Sequence, residues 1–154
     1  MMKRIAFLVA LLAAPLSAHA ETAFSAAEHG PMSVARDPGC GCCGLWIALA
    51  EANGWEVEVT DTADMDAVKD AAGVPARLSS CHTAKIEGYV IEGHVPFEAI
   101  ERLLTERPDI DGLAVPGMPF GSPGMGDDPT ARYDVIAFGG EAGAGTVYYQ
   151  AGLE

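Results

Sequence analysis

Our fold prediction starts from Met32-Ser-Val-Ala-Arg-Asp-Pro-Gly-Cys-Gly-Cys-Cys-Gly-Leu-Trp46. Its first four residues are typical of a short strand, which Asp-Pro-Gly at 37–39 ends. Three of the chain's four cysteines follow at once, as Cys40, Cys42 and Cys43. Thiols this close together suit soft-metal binding or thiol redox chemistry better than they suit stapling a fold.

The residues after the cysteines predict a helix and then an alternation of strands and helices. Leu45, Trp46, Leu49 and Ala50 recur at helical spacing, and Asn53-Gly54 gives a stop signal. The further predicted elements are a half-buried strand at 55–60, a helix at 61–72, antiparallel strands at 77–86 and 88–93, a helix at 96–107, a loop at 112–129 and a hairpin of strands at 133–138 and 146–150.

This order of elements predicts an α/β fold of the thioredoxin-like type. We expect a mixed sheet flanked by helices, with a Gly/Pro/Met-rich loop and a C-terminal β-hairpin added. In that architecture the cysteines lie where helix-start amides favour thiolate. Cys40 and Cys43 have the Cys-x-x-Cys spacing of dithiol enzymes, and Cys42 is an additional thiol that ordinary oxidoreductases lack.

The N-terminus predicts export. Lys3 and Arg4 precede a short apolar run, and Ala18-His-Ala20 supplies the small residues of a cleavage site. The run is too short to span a membrane, which takes about 20 residues. We therefore predict a cleaved signal peptide at 1–20, a flexible leader at 21–31 and one domain at 32–154, with no membrane insertion after cleavage.

The charge of the mature chain excludes some partners. Removal of the signal leaves 7 basic and 22 acidic residues, a net charge of −15. Such a surface repels nucleic acid and anionic lipid and attracts cations. The same acidity also serves simply to keep an exported protein soluble.

The even number of cysteines permits disulfides in an oxidising compartment. Against a purely structural role, a Cys42–Cys43 bond would be strained, and a Cys40–Cys43 bond would close only a tiny loop. Zinc is a second metal that four cysteines could bind, but Cys-x-Cys-Cys is not the usual two-plus-two spacing of zinc ligands. Cys81, in Ser79-Ser-Cys-His-Thr83, reaches the other three only through the tertiary fold.

Methionines and histidines add candidate ligands. Met118 and Met125 lie in the Gly/Pro-rich loop, where a thioether suits Cu(I) or else covers nearby apolar surface. His82 and His94 are either ligands or hydrogen-bonded structural histidines. On a regular strand Cys81 and His82 would point to opposite faces, so both could bind one metal only where the strand bends.

Five motifs in order carry a resemblance to a known family. They are Cys40-Gly-Cys-Cys-Gly-Leu-Trp46, Leu78-Ser-Ser-Cys-His-Thr-Ala84, Gly88-Tyr-Val-Ile-Glu-Gly-His-Val-Pro96, Gly112-Leu-Ala-Val-Pro-Gly-Met-Pro119 and Gly121-Ser-Pro-Gly-Met125. Over residues 32–150 the chain resembles the CopG-type copper-resistance family of small exported bacterial proteins, long catalogued as a domain of unknown function.

The resemblance implies a thioredoxin-like protein that binds copper in bacteria under copper stress. The residues that it implies are a thiolate core of Cys40, Cys42, Cys43 and Cys81, completed or flanked by Met118, Met125, His82 and His94. Because each Cu(I) needs only two or three soft donors, four thiolates could bridge several copper ions.

Two classes of function remain open at this stage. The first is a periplasmic protein that holds Cu(I) for buffering, sequestration or transfer, with copper ions and possible copper-handling proteins as partners. The second is an enzyme, either a copper-dependent oxidoreductase that interconverts Cu(I) and Cu(II) or a metal-free thiol–disulfide oxidoreductase. Cys-x-x-Cys alone favours the metal-free enzyme. Copper is favoured by Cys42, by Cys81 and by the methionine loop, the part of the loop at 112–129 that carries Met118 and Met125.

Overall fold

The computed structural model describes residues 25–153, so the predicted signal peptide lies outside the described residues. The strands are β1 (Met32–Arg36), β2 (Val57–Asp61), β3 (His82–Ile86), β4 (Tyr89–Glu92), β5 (Gly112–Ala114), β6 (Tyr133–Gly139) and β7 (Gly143–Ala151). The helices are α1 (Gly41–Ala52), α2 (Met65–Ala71) and α3 (Phe97–Glu106). No helix within this part of the chain has the length and hydropathy of a membrane span.

The seven strands form one mixed sheet in the order β2-β1-β3-β4-β5-β6-β7. The pairs β1/β2 and β4/β5 are parallel, and the other four pairs are antiparallel. The predicted α/β class with a mixed sheet is confirmed. The strand directions are compatible with the thioredoxin-like type that the sequence predicts.

The strand directions bring several chain segments together at one end of the sheet. Arg36, which ends β1, pairs with His82, which begins β3, and Thr83 pairs with Glu92, which ends β4. Because β5 is parallel to β4, it also ends at this side, after Ala114. Four connections therefore lie at this end of the sheet: the cysteine turn after β1, the residues before β3, the β4–α3 connection and the methionine loop after β5.

Helix α1 packs on the sheet through a face that differs from the predicted one. Trp46 and Ala50 are buried as expected, but Leu45 is 59% exposed and Leu49 is 41% exposed. Cys43 and Ile47 complete the buried face together with Trp46 and Ala50. The predicted stripe is therefore right for Trp46 and Ala50 and wrong for Leu45 and Leu49. Every residue from Leu45 to Ala50 is apolar, so periodicity alone does not fix the buried face.

Helix α3 matches its prediction. Pro96 precedes its first turn, and Phe97, Ile100, Leu103 and Leu104 are buried in the core. A Pro at this position costs no intrahelical hydrogen bond, because the first amides of a helix have no partner within it.

Two strand predictions and one loop prediction are corrected. Residues 57–61 form an edge strand with four of five residues exposed, so it is not half-buried. Strand β3 begins only at His82, because Ala76–Leu78 form a 3₁₀ turn and 79–81 are irregular. Part of the predicted loop at 112–129 is the buried strand β5, whose three residues Gly-Leu-Ala are too short a signal to be read as a strand.

The residues before β1 pack onto the domain from the start of the described chain. Ala26 is part of the core cluster, and His29 stacks on Trp55 and lies within hydrogen-bond distance of the Glu87 carboxylate, at 2.5 Å. Of the leader predicted for residues 21–31, the described part is thus in contact with the rest of the protein.

Candidate metal centre

The first turn of α1 carries three sulfur atoms. Cys40 is the N-cap residue, and its Sγ accepts a hydrogen bond from the Cys43 amide at 3.3 Å. Cys40 and Cys43 are joined by a disulfide, while Cys42 and Cys81 are free thiols. With this bond formed only two of the four cysteines can supply a thiolate, so the predicted four-thiolate core requires the reduced protein.

Cys42 connects the disulfide to the distant fourth cysteine. Its Sγ lies 3.5 Å from Sγ of Cys40 and 3.8 Å from Sγ of Cys81. All four cysteine sulfurs lie within 4.8 Å of one another. The fold therefore brings together the four cysteines that the sequence predicts as a core.

Two buried imidazoles lie on the other side of Cys81. Its Sγ is 2.9 Å from Nε2 of His94 and 3.7 Å from Nδ1 of His82. On a regular strand the side chains of Cys81 and His82 would point to opposite faces. Cys81 instead lies in the irregular segment before β3, and its Sγ and the His82 ring face each other. His94 is oriented by a 2.8 Å hydrogen bond between its Nδ1 and the carbonyl of Pro123.

Burial favours the neutral forms of these groups in the metal-free protein. It raises the pKa of the Cys81 thiol from 9.0 to about 11, and the nearby Cys42 adds to the rise. Burial lowers the pKa of His82 from 6.5 to about 3, with contributions from the charges of His94 and Lys69. Burial also lowers the pKa of His94. A metal ion entering here meets imidazoles that are ready to coordinate and a thiol that must first lose its proton.

Comparisons with known proteins identify the family. Residues 78–125 match the family described as a protein of unknown function, DUF411. Two solved structures, Form 1 and Form 2 of a copper resistance protein CopG, are each 46% identical to this chain with a TM-score of 0.72. Each match covers 79% of this chain, and 97% or 98% of the solved chain. The chain belongs to the CopG family of copper resistance proteins. No curated protein sequence matches it.

The donor set of this CopG family member fits a soft metal ion. Two sulfurs bound to one tetrahedral metal at about 2.3 Å lie about 3.8 Å apart, which is the separation of Cys42 and Cys81. His82 faces Cys81 with Nδ1, 3.7 Å from Sγ, whereas its buried Nε2, which has no hydrogen-bond partner among residues 25–153, is the other ring nitrogen. Thiolate and imidazole together suit Cu(I) and also zinc. The cluster can hold a metal ion of this class.

The two candidate methionines of the CopG-type loop lie beside segments that carry the cluster. Met118 is 54% exposed and follows Gly117, whose carbonyl accepts a hydrogen bond from Ser80 Oγ at 2.5 Å. Met125 follows Gly124, where a Cβ would lie 2.9 Å from the carbonyl oxygen of Cys42. The loop backbone thus touches both cysteine segments, and ligation by either thioether stays a prediction.

A buried ion pair near the cluster was not predicted from the sequence. Lys69 Nζ lies 2.6 Å from Glu92 Oε1, and the two residues are 7% and 0% exposed. The signal that could have indicated it is Glu92 itself, a carboxylate that follows Val90 and Ile91 and precedes Val95 in an otherwise apolar stretch. Its partner on α2 could not be identified without the tertiary fold.

The exposed leucines of α1 line a separate, largely apolar cavity. It has a volume of about 920 Å³, and Leu45, Leu49, Phe97, Pro123 and Tyr149 are among its lining residues. No cysteine or histidine lines it. The cavity is therefore distinct from the cysteine and histidine cluster.

Proposed function

We propose that this protein binds Cu(I) in the periplasm, as a polynuclear cysteine-bridged cluster, for buffering, sequestration or transfer. The observation that carries the proposal is the convergence of four cysteine sulfurs within 4.8 Å in a chain of the copper-resistance family. Two buried imidazoles adjoin the sulfurs, and two methionines follow glycines that contact the same segments.

The preference for Cu(I) over zinc follows from the donors and their arrangement. Cu(I) accepts two or three soft ligands, so adjacent thiolates can bridge several ions. A closed zinc site takes four ligands around a single ion, and thioethers are poor zinc ligands. Sulfurs that lie 3.5 and 3.8 Å from the central Cys42 allow that residue to bridge two metal ions.

Export is the second part of the proposal. The basic start, the short apolar run and Ala18-His-Ala20 support a cleaved signal peptide. The strongly acidic composition is compatible with a cation-rich compartment and gives no basis for binding nucleic acid.

A copper titration of residues 21–154 tests the proposal. The protein is reduced anaerobically and loaded with Cu(I), and bound copper and free thiols are measured in the same sample. We expect two or more tightly held copper ions per chain, with all four thiols masked. The matched control is the disulfide form, in which only Cys42 and Cys81 can contribute thiolates, and it should hold fewer ions. Absence of tight copper in the reduced protein would exclude this function.

A second candidate, copper-dependent oxidoreduction, is favoured by the Cys40–Cys43 disulfide beside the free thiol of Cys42. Reduction of this disulfide to two thiols takes two electrons and two protons, and oxidation of two Cu(I) to Cu(II) releases two electrons. Because a protein disulfide is a weak oxidant, the step is expected in the opposite direction: two Cu(II) added to the reduced protein would yield two Cu(I), the Cys40–Cys43 disulfide and two protons per chain. A reversible disulfide without any tight copper would instead leave a metal-free thiol oxidoreductase.

A further inference from the structure

The Lys69–Glu92 ion pair belongs to a closed network of buried hydrogen bonds. Lys69 Nζ also donates to Thr83 Oγ1 at 3.1 Å, and Thr83 Oγ1 donates to Glu92 Oε2 at 2.7 Å. Helix α2 and strands β3 and β4 contribute one member each. Every heteroatom of the Glu92 carboxylate is thereby paired, as buried charges require.

The network reaches the segment that carries Cys81. The amide of Ser80 donates to Glu92 Oε1 at 2.6 Å, which fixes the backbone one residue before Cys81. This amide lies outside the sheet ladder, because β3 begins only at His82. Without the carboxylate it would lose this hydrogen-bond partner.

The segment that contains Ser80 is also hydrogen-bonded to the methionine loop. Its Oγ donates to the carbonyl of Gly117 at 2.5 Å, and the Gly117 amide donates to the Ser79 carbonyl at 3.3 Å. The close approach needs Gly93, where a Cβ would lie 2.3 Å from Ser80 Oγ. One carboxylate thus orients the segments that contain Cys81 and Met118.

Stability alone does not account for the ion pair. Removing two charges from water costs about as much as their attraction returns, and replacement of a buried pair by apolar residues is often neutral or stabilising. The other ion pairs among residues 25–153 involve side chains that are more accessible to water. What the pair does besides is to fix the Ser80 amide, through Glu92 Oε1, next to Cys81.

We propose that Lys69, Thr83 and Glu92 are positioning residues for the copper site, and that they hold Cys81 and the Met118 loop in place before metal binds. This inference rests on the proposed function for its copper readout. Its structural readout, the order of the Ser79–Cys81 segment, is measured without metal. Failure of copper binding and failure of the positioning role can therefore be told apart.

The test replaces the pair by apolar residues of similar length in the variant K69M/E92L. We expect the variant to fold, because no unpaired charge remains. Its melting temperature should lie below that of the parent protein, because the Ser80 amide and the Thr83 hydroxyl lose their hydrogen-bond partners. Amide exchange at Ser80 in the metal-free protein should accelerate at least 100-fold. The affinity of the reduced protein for Cu(I), measured by competition with a chelator, should fall at least tenfold.

The matched control is R102M/E106L, which makes the same kind of replacement at the exposed pair on α3. It should change neither Ser80 exchange nor copper affinity. Unchanged Ser80 exchange in folded K69M/E92L would overturn the proposal, as would copper affinity equal to that of the control.

Should K69M/E92L not fold, Thr83→Val provides the test, because it removes only the bridging hydroxyl. We then expect several-fold faster Ser80 exchange and weaker copper binding, and unchanged values would equally overturn the proposal.

Discussion

Cys42 is the residue for which the proposed metal centre and a simple dithiol make different predictions. The disulfide joins Cys40 to Cys43 and leaves Cys42 outside it, with its Sγ between those of Cys40 and Cys81. A dithiol enzyme has no use for a third thiol here, since it could attack the disulfide and rearrange it. A bridging thiolate, in contrast, has to lie between other sulfurs.

Substitution of this residue distinguishes the two roles. We expect Cys42→Ser to bind at least one copper ion fewer per chain, or to bind copper at least tenfold more weakly, because the bridging sulfur is lost. The Cys40–Cys43 disulfide should still form and be reduced. Copper analysis and thiol counting on the reduced variant check this. Cys40→Ser is the comparison, since it should lose both properties, and full copper binding by Cys42→Ser would contradict a shared thiolate.

At the same scale, sequence reasoning works for residues that are close in the chain and fails for pairs made by packing. Cys40, Cys42 and Cys43 are predicted together because helix geometry keeps neighbours close. Cys81 joins them through the pairing of β1 with β3, so sequence supports it only by family resemblance. The partnership of Lys69 with Glu92 depends on how α2 packs on the sheet, which no local pattern encodes.

At the scale of elements, the connections rather than the helices and strands hold the candidate site. The antiparallel and parallel pairings place four connections at one end of the sheet. The elements with strong periodicity, such as α3 and the C-terminal hairpin, are predicted well. Short or uniformly apolar segments are not, since β5 has three residues and α1 offers two equally apolar faces.

The methionine loop gives the prediction at this scale. Substitution of both Met118 and Met125 by Leu keeps the apolar volume and removes the thioethers. We expect the melting temperature to stay within a few degrees and Cu(I) to be lost several-fold faster to a competing chelator. Met65→Leu, a methionine on α2, is the matched control. Equal retention in the double variant and the control would show that the loop methionines only cover apolar surface.

At the scale of the whole molecule, the buried imidazole of His82 makes the stability of the fold depend on pH. His82 packs against the rings of Trp46 and His94, at centroid distances of 4.7 and 5.1 Å. Above pH 6.5 it is neutral in both the folded and the unfolded chain, so it adds no pH dependence. Between pH 6.5 and about 3 only the unfolded chain takes up the proton, because burial lowers the pKa in the fold. The free energy of unfolding therefore falls as the pH falls through this window.

Denaturant unfolding of the metal-free protein between pH 4 and 7 measures this loss, which for one fully excluded proton is about 1.4 kcal/mol per pH unit. His82→Phe keeps a ring beside Trp46 and removes the titrating group. The free energy of unfolding of this variant should therefore fall less steeply with falling pH, by a slope that corresponds to nearly one proton fewer taken up on unfolding. Carboxylates and His94 remain in both proteins, so their contributions largely cancel in the difference. Parallel curves for the two proteins would mean that His82 takes up its proton at the same pH in the folded and the unfolded chain, so that the fold does not hold the imidazole neutral for a metal ion.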